Sequence, residues 1–276
     1  MSTALQRNAV ICADLDRTLI YSAAALGTTD PREPLLCVEL YQGAPQSFML
    51  HAAGTQLVGL VRHATLVPTT TRTVEQYRRV QVPGLVPDYA ICANGARLLV
   101  DGVVDEDWSL HVAQLLTACA PVAEVRDHLE PAPSFVRTVR VAEELFVYAV
   151  IEREQLPDAW LSELSGWCAE RGWAVSMQGR KVYAVPELLL KSTAAAEVCR
   201  RTGAATMLAA GDSLLDKDLL LAADAAIRPR HGELEQSDWC APTLAVTRAS
   251  GVQAGAEIVH WFAEQLRVGS ATLITL

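Results

Sequence analysis

Short apolar runs rich in Val, Ile, Leu and Ala recur along the chain: "AVICAD", "ATLVPT", "YAICA", "TMLAAGD", "AAIRP" and "TLAVT". They are apolar on both faces and alternate with helical patterns at Gln56 to Arg62, Ser192 to Arg201 and Ala254 to Leu266. That alternation predicts a doubly wound α/β fold with a mainly parallel sheet buried between helices. Between about Asp107 and Val185 the texture changes. Helices are predicted near Leu110 to Ala118 and Asp158 to Arg171, with alternating runs "SFVRTVRVA", "LFVYAVIE" and "WAVSMQGRKVYAV", the last a hairpin closed near Gln178 and Gly179. This reads as an α+β cap inserted at 107–185 between two parts of one core, 1–106 and 186–276. The stretch from Ser22 to His51 suggests another hairpin, turning near Gln42 and Gly43.

Composition sets bounds on this picture. The 276 residues are 51% hydrophobic and 20% charged, with no low-complexity tract, as in an ordinary globular chain. The net charge of −9 and the scattered basic residues argue against nucleic acid or an anionic membrane as partner. Seven cysteines without a CxxC or a zinc-like spacing predict reduced thiols, with Cys12 and Cys92 packed inside strands. The first residues reach charge too soon for a signal peptide, and the uncharged stretch around Val112 to Val122 is too short to span a bilayer. A cytoplasmic protein is expected.

Chemistry is expected where strands end, because ligands of an open α/β sheet bind beyond the carboxyl ends of its strands. There "ICADLDRTLIYS" carries Asp14, Asp16 and Thr18; "VPTTTRT" carries Thr69, Thr70, Thr71 and Arg72; "LLAAGDSLLDKD" carries Asp212, Ser213, Asp216 and Asp218. "LLLKSTAAAEV" sets Lys191 at a helix start, where the helix dipole disfavours a cation, so an anion must compensate it.

The order D-x-D-x-T, T, K, G-D-S-x-x-D resembles the haloacid dehalogenase (HAD) superfamily of phosphatases. "YAICANGARLLVDG" is similar to the Asn-Gly-Ala stretch of its Cof-type and sucrose-phosphate-phosphatase-like members, which carry their cap after the third core strand. The resemblance implies a Mg²⁺-dependent phosphatase with Asp14 as nucleophile and Asp16 as acid and base. It implies Thr18 orienting Asp16, Lys191 bridging Asp14 and the phosphate, and Thr70 holding the phosphate, with Thr69 as the alternative. The metal would lie among Asp14, the Asp16 carbonyl and Asp212, with Asp216 behind them and Ser213 assisting; Asp218 reads as a solvated helix residue. Thr71, Arg72 and Asn94 would line the phosphate pocket.

Arg17, Thr71, Ser192 and Leu215 stand where the family often has glycine, glycine, glycine and asparagine. In the cap, Arg180 and Lys181 could meet a second anionic group or be plain turn residues. Arg137 and Arg140 fall on opposite faces of one strand, and Trp108, Trp160, Trp167 and Trp173 read as core packing ahead of a sugar platform. The expected partner is a small phosphorylated metabolite, with a homodimer left open. A phosphomutase and a non-catalytic phospholigand-binding module are the competing functions.

Overall fold

The computed structural model describes residues 7–30 and 32–272. The chain divides into two compact units: residues 1–104 with 191–276, and residues 105–190. The insertion thus begins two residues before the expected boundary and ends five after it.

The first unit is built on a five-stranded parallel sheet in the order Leu244–Val246, Ala225–Arg228, Thr206–Ala210, Ala9–Ala13, Thr65–Pro68. Its central strands are buried on both faces, which is why they read as unbroken apolar runs. The chain runs from the Ala9–Ala13 strand to its edge neighbour Thr65–Pro68 and later returns to its other side at Thr206–Ala210, so the loops after Ala13 and Ala210 leave a crevice. Register brings the strand ends together: Ala13 lies opposite both Pro68 and Ala210, Asp14 N–H donates to the Ala210 carbonyl at 2.9 Å, and Thr69 N–H donates to that of Ala13 at 2.8 Å.

One strand differs from the expectation. Tyr89–Cys92 does not join the parallel sheet; it pairs antiparallel with Arg97–Val100, which pairs with Val103–Val104. Only an isolated parallel bridge, Thr69 to Ile91, ties it to the end of the neighbouring core strand. Burial makes "YAIC" as apolar as a parallel strand, so hydropathy could not separate the two pairings.

The Ser22–His51 stretch forms the hairpin Leu35–Tyr41 and Ala44–Leu50, with Tyr21–Ser22 added at its edge. Its two turn residues, Gln42 and Gly43, both have positive φ (51° and 79°), the geometry that matches the twist of paired strands. The helices His51–Leu60 and Val252–Thr272 pack together beside it.

The second unit has a four-stranded antiparallel sheet in the order Trp173–Gln178, Lys181–Pro186, Phe146–Ile151, Val136–Ala142. The helices Val122–Leu129 and Asp158–Ala169 pack on it, the former escaping the sequence reading. Its core takes Trp173, whose indole N–H donates to the Ala120 carbonyl at 2.9 Å, and Trp108. Trp160 meets Phe135 edge-on, and Trp167 stacks on His128 with Arg171 also over its ring. Arg137, paired with Glu152, and Arg140 are both exposed. Arg180 is an exposed turn residue, and Lys181 lies over the Tyr148 ring.

All seven cysteines are free thiols, with Cys12 and Cys92 buried in strands. Among the described residues no helix is long and apolar enough to cross a membrane.

Candidate active site

The loop after Ala13 folds tightly on itself. The Leu15 carbonyl accepts from the N–H groups of Thr18, Leu19 and Ile20, while Arg17 N–H donates to the Ile20 carbonyl. Closing so short a loop forces Arg17 to φ 64°, a left-handed conformation that costs a non-glycine residue roughly 1–2 kcal/mol. This is the physical reason a glycine would be at home at that position. Asp14 is left at the strand end and buried.

Lys191 begins the Lys191–Thr202 helix and is fully buried. Its ammonium donates to Asp14 Oδ1 at 2.9 Å and to Asp216 Oδ1 at 2.5 Å, two carboxylates that offset the unfavourable helix end. Burial works against its charge, yet Asp14 and Asp216 outweigh it and hold its pKa above the usual lysine value. The anions that the helix start demanded are therefore Asp14 and Asp216 together. Asp218 corrects the sequence reading: instead of being solvated, it accepts from Ser192 N–H at 2.7 Å in the first turn of the same helix.

The other oxygen of Asp216 gathers the loop after Ala210. It accepts from Asp212 N–H, Ser213 N–H and the Ser213 hydroxyl at 3.1, 2.9 and 2.7 Å. Such closeness requires glycine at 211, where a Cβ would lie 2.4 Å from the Asp216 side chain. At Gly232 a Cβ would lie 2.5 Å from Asp212 Oδ2. Asp216 is thus a brace for Asp212 and Lys191, with both its oxygens engaged.

Asp14, Asp212 and Asp216 present carboxylate oxygens within 4.8 Å of one another, all buried. Burial, opposed by Lys191 and reinforced by Asp216 and Asp16, raises the pKa of Asp14 to about 7. Burial, with Asp14 and Asp216 next, raises that of Asp212 well above the carboxylate range. Three buried carboxylates with one buried ammonium leave the cluster short of positive charge. An all-oxygen donor set of this kind suits a hard divalent cation.

Asp16, unlike Asp14, is only partly buried. Its side chain is 46% exposed and is held by both arms of Arg72, Nε to Oδ2 at 2.7 Å and a terminal nitrogen to Oδ1 at 2.8 Å. Arg72, expected on the phosphate, is instead shared between Asp16 and Glu39, the latter 3.0 Å from its other terminal nitrogen. Glu39 is buried in the hairpin, where it also accepts from the Ser47 hydroxyl at 2.6 Å and pairs with Arg79 at 3.2 Å. Sequence reasoning missed it, although a lone carboxylate inside "LLCVELY" was a usable signal.

The Thr18 hydroxyl makes no hydrogen bond to Asp16; it is buried without a partner, while the Thr18 carbonyl accepts from the Tyr21 hydroxyl. The Thr69 hydroxyl is spent on the Val67 carbonyl at 2.9 Å. That of Thr70 accepts from Arg72 N–H at 3.1 Å and keeps its own proton to donate, which favours Thr70 as the anion-holding hydroxyl. Thr71 is buried, and Asn94 is buried at φ 56°, its N–H donating to the Thr70 carbonyl.

Two contacts had no trace in the sequence. Arg17 Nε lies 3.3 Å from Asp212 Oδ2. His231 accepts from Gly251 N–H at Nδ1, which leaves the proton on Nε2, 2.8 Å from the Arg17 carbonyl.

No protein-family model matches the chain, and no curated protein does. Solved structures do resemble it. The sucrose-phosphatase of Synechocystis sp. PCC6803, solved with sucrose and phosphate, aligns with TM-score 0.68 and 16% identity over 93% of this chain and 98% of that one. The HAD subclass IIB sugar phosphatase BT4131 aligns at 0.56 and 11% over 92% and 98%. The phosphatase BT1666 of Bacteroides thetaiotaomicron aligns at 0.54 and 14% over 96% and 98%. At such identities the likeness is one of architecture: the chain has the fold of the haloacid dehalogenase superfamily.

Proposed function

We propose that the protein is a Mg²⁺-dependent phosphatase that hydrolyses a small phosphorylated metabolite, a sugar phosphate or similar monoester, through an aspartyl-phosphate at Asp14. The observation that carries this reading is the convergence of Asp14, Asp212, Asp216 and Lys191 from distant parts of the chain into one buried, cation-poor cluster. The fold's solved relatives named as sugar phosphatases support the substrate class.

Asp14 and Asp212, with the Asp16 carbonyl, would hold Mg²⁺, which when bound neutralises charge on the phosphoryl group. Asp14 attacks phosphorus; the phosphorus–oxygen bond to the alcohol breaks as the new acyl phosphate bond forms. Asp16, with one oxygen released by Arg72 and carrying a proton, hands that proton to the departing alkoxide and then takes one from the water that cleaves the acyl phosphate. Arg72 fixes where that carboxyl group points. Lys191 offsets the charge gathered around the transferred group, and the Thr70 hydroxyl donates to one of its oxygens. Asp216 keeps Lys191 and the Asp212 loop in place.

The test is phosphate release from a panel of phosphorylated metabolites with MgCl₂, wild type beside Asp14→Asn. The variant should lose turnover by on the order of 10³-fold or more. Equal turnover in the two proteins would remove Asp14 as nucleophile. Binding without release would favour the phospholigand-binding module, and transfer between positions of one sugar the mutase.

A further inference from the structure

Arg17 combines two features that do not belong together by chance of loop geometry alone. Its backbone occupies the left-handed region, where a glycine would sit without cost, and its long side chain returns to the cluster it borders. The backbone is held on both sides of the residue: Arg17 N–H donates to the Ile20 carbonyl at 2.8 Å, and the Arg17 carbonyl receives His231 Nε2–H at 2.8 Å. So anchored, the loop delivers the guanidinium to Asp212, Nε to Oδ2 at 3.3 Å. The contact is electrostatic and loose; it is longer than a charge-assisted hydrogen bond, and Nε has no hydrogen-bond partner.

We infer that Arg17 is a tethered competitor for the divalent cation at Asp212: it neutralises that carboxylate in the ion-free protein and must swing away for the ion to bind. The inference rests on the proposed cation site. Its physical basis is that a guanidinium and a dication cannot share one carboxylate oxygen at contact distance without strong mutual repulsion. The Arg17 side chain is 37% exposed, so it has solvent to turn into when displaced. Asp14 has no such rival beyond Lys191, whose buried ammonium also needs Asp216 and cannot leave. The site is therefore asymmetric, with one carboxylate held by a permanent partner and the other by a removable one.

Titration of MgCl₂ into the substrate-free protein by calorimetry, at constant ionic strength, reads this directly. Arg17→Gly and Arg17→Gln should each bind Mg²⁺ about tenfold more tightly than wild type, as expected when one loose charge pair is removed from the competing state. Arg17→Lys, which keeps a tethered charge, should stay close to wild type. The glycine variant suits the backbone conformation, and circular dichroism checks that all variants fold. Unchanged or weaker binding in both neutral variants overturns the role of Arg17 while leaving the cation site standing. Tightening by Arg17→Lys equal to that of the neutral variants does the same. Absence of saturable Mg²⁺ binding in all four proteins overturns the cation site and this inference with it.

Discussion

The cluster around Asp14 and the cluster around Glu39 are both centred on buried carboxylates, but their balances differ. At Asp14 three carboxylates surround a single buried ammonium, with Arg17 at the margin. At Glu39 two arginines, Arg72 and Arg79, answer Glu39 and Asp16, and the Ser47 hydroxyl completes the set. A buried charge persists only when it is paired, and by charge the second cluster balances, two arginines against two carboxylates, while the first does not. The teaching is that imbalance, more than burial of charge, distinguishes the proposed cation site from a scaffold that fixes one side chain.

The largest test of that contrast is Lys191→Met. Deleting the buried Lys191 ammonium should destabilise the protein by about 3–5 kcal/mol, measured by denaturant unfolding without divalent cation. MgCl₂ should then raise the midpoint of the variant more than that of wild type. Equal increments would put the two clusters on the same footing. Glu39→Gln should cost less, about 2 kcal/mol, because Arg72 keeps Asp16. Here MgCl₂ should give no more stabilisation than in wild type; a larger gain would show that the Glu39 cluster also lacked a cation.

The smallest expected effect lies at His231. Burial lowers its pKa below the usual histidine value, so the unfolded chain binds its proton first as pH falls. Its contribution is fully present above about pH 6.5 and is lost as pH falls from there through the folded value. His231→Gln should lose about 1 kcal/mol at pH 7.5. The melting-temperature gap to wild type should narrow toward pH 5; a gap independent of pH would mean that the neutral ring, accepting from Gly251, is not what matters.

These differences follow the line between what hydropathy and residue order carry and what they do not. The core strands were readable because burial on both faces leaves an apolar run, and Asp14, Lys191 and Asp212 because they end strands or begin a helix in a recognisable order. Asp216 was readable as a neighbour of Asp212, but not as the brace for Lys191. Glu39 was visible as a lone carboxylate in an apolar run, but its role was hidden because it depends on the register that sets it opposite Ser47 and on arginines further along the chain. Arg17 was flagged as an oddity, yet only its positive φ explains where the side chain goes. Tyr89–Cys92 misled because apolar content is silent on which edge a strand joins.

Lys191 and Asp14 are separated by 177 residues, with the whole second unit between them. The parallel sheet likewise joins Ala9–Ala13 to its central strand Thr206–Ala210, a closure that loop entropy makes slow relative to local pairings. During synthesis the inserted unit emerges complete while the Ala9–Ala13 strand, with Thr65–Pro68 already made, still waits for its second partner. A nascent chain therefore carries Asp14 without its ammonium until the last third is made, and the buried cluster assembles only with that late segment.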